Sequence, residues 1–166
     1  MNYHNILHDD MRNGEGLRVV LFVSGCNHRC DECQNPQTWD CESGIEFDSN
    51  AFSEIFEALG KDYISGLTLS GGDPFHPNNV DMVSNICSTA KSLHPDKTVW
   101  IYTGFLYEDL LPVYEYSILK NCDVLIDGEY KKELADVKYP WAGSTNQRVI
   151  DCKKSLEQGE IVLWKH

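Results

Sequence analysis

Residues 18–25, RVVLFVSG, hold a five-residue apolar run that is rich in valine and has no polar alternation. A strand that is covered on both faces needs a run of this kind. GLTLS (66–70), TVWIYTG (98–104) and DVLIDG (123–128) read as further strands. Helical spacing falls between them. Asp48, Ser49 or Asn50 can cap a helix carrying Phe52, Ile55, Phe56 and Leu59, with Gly60 placed to stop it. Beyond Pro77, a stripe of Val80, Val83, Ile86, Cys87, Ala90 and Leu93 ends before Pro95. Over 106–120 a third helical pattern is interrupted by Pro112.

Strands that alternate with helices predict an α/β fold with a mostly parallel sheet. No repeat or low-complexity linker divides the 166 residues, so they read as a single domain, 1–166. In such folds ligands sit beyond the carboxyl ends of the strands. The loops expected there are CNHRCDEC, GGDPFHP, TGF and DGEY.

Composition narrows the function classes. Fourteen Lys and Arg against 26 Asp and Glu give a net charge of −12, which repels phosphate backbones and argues against a nucleic-acid partner. Apolar runs are too short to span a membrane. The opening MNYHNILHDDMRNGEG lacks a basic segment followed by an apolar one, so the expected location is cytoplasmic. Seven cysteines, an odd number and partly clustered, point in a reducing compartment to metal or redox chemistry more than to disulfides.

Cys26, Cys30 and Cys33 carry three readings. Their spacing would place them on one helix face, but Ser24-Gly25 precedes them, and Asn27, His28 and Asp31 are poor helix residues. A closed zinc site needs four ligands, and His28 or Cys41 would have to supply the fourth. A cube-shaped iron–sulfur cluster suits three soft thiolates better and leaves one iron without a protein ligand. Catalytic centres keep such an open position, and structural ones close it.

C-x3-C-x2-C at the end of a first strand, followed by Ser70-Gly71-Gly72-Asp73-Pro74 at the end of a second, resembles the radical S-adenosylmethionine enzymes. Further stretches, NGEGLR (13–18), LFVSGC (21–26), QNPQTW (34–39), LSGGDPFHP (69–77), YTG (102–104), LIDGEY (125–130) and WAGSTNQRVI (141–150), narrow the resemblance. They are similar to the activases of anaerobic ribonucleoside-triphosphate reductase.

This resemblance implies an incomplete β/α barrel with a 4Fe-4S cluster on Cys26, Cys30 and Cys33 at the carboxyl-end rim. It further implies that S-adenosylmethionine binds the open iron, and that an external electron donor reduces the cluster. The resulting 5′-deoxyadenosyl radical would take a hydrogen from a glycine of the reductase, the protein partner. By the same resemblance Glu32 and Gln34 lie near the adenine, contacted largely through backbone. Ser70, Gly71, Gly72 and Asp73 cradle the methionine end, where Asp73 would neutralise the ammonium. Thr103 and Asp127 are ribose-side or carboxylate-side contacts on this reading, or simple turn formers. Gly72→Val should then hinder S-adenosylmethionine binding and spare the cluster.

Three positions depart from the family pattern. Glu32 stands where many members of the superfamily carry an aromatic residue, Glu15 replaces a proline, and Ala142 replaces an arginine. Of the other cysteines, Cys87 reads as core, and Cys41, Cys122 and Cys152 as ordinary thiols. Turn roles suffice for His76 and His94, which precede prolines.

Overall fold

A computed structural model describes residues 1–165. Its strands are β1 (Asn2–Asp10), β2 (Arg18–Val23), β3 (Ile45–Glu46), β4 (Gly66–Gly71), β5 (Thr98–Tyr102), β6 (Val124–Asp127) and β7 (Arg148–Asp151). They form one sheet in the order β3-β1-β2-β4-β5-β6-β7. The central β2, β4, β5 and β6 run parallel. At the flanks, β1 is antiparallel to β2, β3 to β1, and β7 to β6. The fold is therefore α/β with a mixed sheet. That sheet is open, with β3 and β7 as its edges.

Helices α1 (Ser49–Leu59), α2 (Val80–Leu93) and α3 (Tyr107–Tyr114) fill the crossovers between parallel strands, and α4 (Cys152–Gln158) follows β7. Asp48 caps α1 by accepting from the amides of Asn50 and Ala51, each at 2.9 Å. Val83, Ile86, Cys87 and Ala90 of α2 are buried, whereas Leu93, the last member of the expected stripe, is exposed in the final turn. Pro112 lies inside α3, which is only eight residues long. The proline lacks an amide hydrogen and so forfeits one helical bond, a tolerable loss in a short helix capped by tertiary contacts.

Period-2 alternation divides the strand side chains between two layers. Val19, Leu21, Val23, Leu67, Leu69, Val99, Ile101 and Leu125 pack with the helices. Trp100, Val124, Ile126 and Val149 face the other way and pack with Tyr102, Trp141, Ala142 and Trp164.

Arg18, fully buried at the amino end of β2, anchors that second layer. Its guanidinium donates to Thr68 Oγ1 (2.7 Å), Thr98 Oγ1 (2.9 Å) and the carbonyls of Glu15, Leu67 and Thr98. It also lies 5.1 Å from the Trp100 ring centroid. Burial lowers its pKa to about 10, so the group stays cationic at neutral pH.

Candidate cofactor site

All four expected loops meet beyond the carboxyl ends of β2, β4, β5 and β6. Residues 24–35 contain no helix, and Arg29 and Glu32 adopt positive φ of 50° and 51°. Those two left-handed residues curl the segment into a loop, so the cysteines form no helical stripe. Backbone bonds close the loop at its base: Gly25 N donates to Thr38 O (2.7 Å), and Cys26 N to Trp39 O (3.0 Å).

Cys26, Cys30 and Cys33 line one cavity of about 170 Å³. All seven cysteines are free thiols. Burial raises the thiol pKa of Cys26 and of Cys30. Among the described residues, no three His, Cys, Asp or Glu side chains converge closely enough to hold a single metal ion. A cluster needs no such convergence, because each thiolate reaches a different iron. Three free, soft donors on one wall therefore fit an iron–sulfur cluster.

Ser70, Gly71, Gly72, Asp73 and Thr103 line the same cavity. Gly72 packs on the cluster loop, with its amide donating to Val23 O, and the Asp73 amide donating to Gly25 O, each at 2.7 Å. Asp73 is 1% exposed. Its carboxylate accepts from Phe75 N (2.8 Å), Gly104 N (2.9 Å) and Thr103 Oγ1 (2.9 and 3.0 Å to the two oxygens). These bonds give Asp73 a role in tying the β4 loop to the β5 loop. Asn79 adds a buried tie by donating from Nδ2 to Ser24 O (2.8 Å) and Asp73 O (2.9 Å).

Gln34 is part of the cavity wall, but Glu32 and Asp127 are not. The Glu32 side chain pairs at the surface with Lys132. Asp127, fully buried, accepts from Tyr107 N (2.8 Å) at the start of α3 and pairs with Arg148. Arg148 also holds Glu108, whose carboxyl pKa it lowers to about 2.

His28, Asn35, Trp39, Tyr102, Gly104, Tyr130, Gly143 and Gln147 also line the cavity; none is among the expected cluster or S-adenosylmethionine contacts, and His28 entered only as a possible fourth zinc ligand. The Trp39 indole N–H is buried there without a hydrogen-bond partner. Gln147 braces the far wall by accepting from Gly143 N (3.0 Å) and donating to Gly128 O (2.9 Å). His28 Nδ1 donates to Glu129 Oε1 at 2.9 Å. Its Nε2 lies 3.1 Å from Asp73 Oδ2 as a charge contact, with no aligned hydrogen-bond partner. Asp73 in first place, opposed by burial and supported by Glu129, raises the pKa of the ring. The signals for these residues in the sequence were the resemblance-bearing stretches QNPQTW, YTG, LIDGEY and WAGSTNQ that contain them and the position of His28 between two cysteines.

Comparison with known proteins agrees with this donor set. Residues 12–150 match a family described as a 4Fe-4S single cluster domain. Along 166 residues the chain is 46% identical to the anaerobic ribonucleoside-triphosphate reductase-activating protein of Enterobacteria phage T4, covering 100% of this chain and 99% of that protein. The like-named protein of Haemophilus influenzae is 42% identical over 149 residues, covering 89% of this chain and 96% of its own. That of Escherichia coli K12 is 37% identical over 151 residues, covering 90% and 97%. With identity at this level along essentially whole chains, and with three free thiols on one cavity wall, the protein belongs to the family of anaerobic ribonucleoside-triphosphate reductase-activating proteins.

Proposed function

We propose that residues 1–166 act as one radical S-adenosylmethionine activase domain for an anaerobic ribonucleoside-triphosphate reductase in the cytoplasm, and that the open sheet is the incomplete β/α barrel of that superfamily. One observation carries the reading: Cys26, Cys30 and Cys33 share a cavity with Ser70, Gly71, Gly72 and Asp73. In a chain of this family, that cavity joins a cluster loop to a cradle for a small amino acid derivative.

Cys26, Cys30 and Cys33 would hold a 4Fe-4S cluster as thiolates. Bound there and reduced by an external donor, such a cluster would supply the one electron that splits S-adenosylmethionine into methionine and a 5′-deoxyadenosyl radical, the species that would take a hydrogen atom from a reductase glycine. The chain's own work is placement. Gly71 and Gly72 let backbone approach the methionine end, and Asp73, fixed by Thr103 and Gly104, sets negative charge beside its ammonium. Gln34 borders the adenine side, where backbone contacts at residues 32–34 would suffice. Thr103 acts through Asp73, and Asp127 fixes the start of α3. No general base is required, because orientation and exclusion of water are what the site must supply.

Anaerobic mixing of the reduced, cluster-loaded protein with its host's reductase and S-adenosylmethionine tests this reading. A glycyl-radical EPR signal on the reductase is expected. Cleavage of S-adenosylmethionine without that signal would overturn the assignment of the partner.

A further inference from the structure

Three of the strand-end loops touch one side chain of the fourth. His28 belongs to the cluster loop, between Cys26 and Cys30. Its Nε2 is 3.1 Å from Asp73 Oδ2 on the β4 loop, and its Nδ1 is 2.9 Å from Glu129 Oε1 on the β6 loop. From the β5 loop, Phe105 meets the imidazole edge-on at a centroid distance of 4.5 Å. Gly104 lies so close that an added Cβ would stand 2.5 Å from His28 Cδ2 and 2.6 Å from Cγ. Neither contact leaves the ring much room to turn.

His28 links the two halves of the candidate site: it stands between two cysteines of the thiol loop, and its Nε2 reaches Asp73 of the cradle while Glu129 holds the other nitrogen. Asp73 closes the Gly-Gly cradle, and the two flanking cysteines belong to the thiol wall. Ring rotation or loss would let the thiol loop shift relative to the cradle while removing none of its three thiols. Displacements on the order of 1 Å can cost a hundredfold when a reaction depends on alignment.

We propose that His28 is a positioning residue that fixes the cluster loop against the S-adenosylmethionine cradle, holding the open corner of the cluster in register with the methionine end of the substrate. This rests on the cluster and cradle assignments made above. Its role differs from that of a ligand. His28 aligns two sites that can each form without it.

The test uses the full-length protein with its cluster reconstituted anaerobically. Three quantities are read: iron per chain, the EPR spectrum of the reduced cluster with and without S-adenosylmethionine, and KM and kcat for 5′-deoxyadenosine release with a chemical reductant. For His28→Phe, which keeps a ring but loses both polar contacts, iron content stays at the wild-type level. The KM for S-adenosylmethionine rises about tenfold or more, as for the loss of an outer-shell partner, and the spectral response to S-adenosylmethionine weakens. His28→Gln, whose amide can reach toward Asp73, recovers more of that response than His28→Asn, whose shorter amide favours Glu129. Gly104→Ala, which leaves the imidazole intact but occupies its space, reproduces the His28→Phe pattern.

Unchanged KM and spectra in His28→Phe would overturn the proposal, as would equal behaviour of the Gln and Asn variants. Loss of iron in both His28→Phe and Gly104→Ala would overturn it as well, by showing that the ring serves cluster assembly. A wild-type protein that takes up iron but gives no spectral response to S-adenosylmethionine would instead defeat the underlying functional reading.

Discussion

A Cβ on Gly72 would stand 2.5 Å from the carbonyl oxygen of Gly25, the residue immediately before Cys26. The β4 cradle and the cluster loop are thus in backbone contact. A side chain at residue 72 cannot be accommodated without pushing the cluster loop away. Gly72→Val should consequently lower iron content along with S-adenosylmethionine affinity, contrary to the expectation from sequence that the cluster would be spared. Iron analysis of the reconstituted variant beside a binding titration checks this, and full iron occupancy would contradict it.

Cys30→Ala removes one of three donors from the thiol wall. Reconstitution should fail to give a stable cluster of about four irons per chain, and 5′-deoxyadenosine release under strong reductant should fall to background. The folded chain should persist, because the Gly25–Thr38 and Cys26–Trp39 backbone bonds do not involve residue 30. Circular dichroism of the iron-free variant gives that control.

Arg18→Met should destabilise the protein strongly without touching the cavity wall. It strips donors from Thr68, Thr98 and three carbonyls in a buried layer. Each acceptor left without a partner costs about 1–3 kcal/mol, so a loss on the order of 3 kcal/mol or more is expected. For a domain of this size that corresponds to a fall in Tm of about 6–12 °C, readable by scanning calorimetry.

Glu108 gives a pH dependence of known sign. Its carboxyl pKa is lowered from 4.5 to about 2 by Arg148, so the pair contributes fully above pH 4.5. That contribution is lost as pH falls through about 2. The pair is largely exposed, so the effect should be small, below about 1 kcal/mol. Glu108→Gln should flatten this part of the acid limb in thermal melts between pH 4.5 and 2.

Glu32→Ala should leave the KM for S-adenosylmethionine within about twofold of wild type, since the side chain goes to Lys132 at the surface. A large rise in KM would mean that the carboxylate, rather than the backbone around it, contacts the adenine side.

The four parallel strands, α1 and most of α2 were legible because burial on both faces, or on one helical stripe, writes itself into local spacing. β1 was not: its NYHNILHDD is mixed in polarity, and its pairing with β2 carries two register shifts. β7 and α4, four and seven residues long, are too short to show a period. In the site, the cysteine and Gly-Gly-Asp loops were legible because their chemistry is local. The roles of His28 and Gln147 were not, because each depends on partners that only the topology brings near. Asp127 shows the converse. It stands at a strand end as expected, but Arg148, 21 residues further on, and the first amide of α3 claim its oxygens.

The backbone bonds from Gly25 to Thr38 and from Cys26 to Trp39 make the cysteine loop a socket clasped by protein, with Thr38 buried beneath it and bonded through Oγ1 to Asn35 O at 2.7 Å. Those bonds are made by protein alone and join the first residues of the loop to the segment that follows it. Damage by oxygen should therefore empty the socket without unclasping its base.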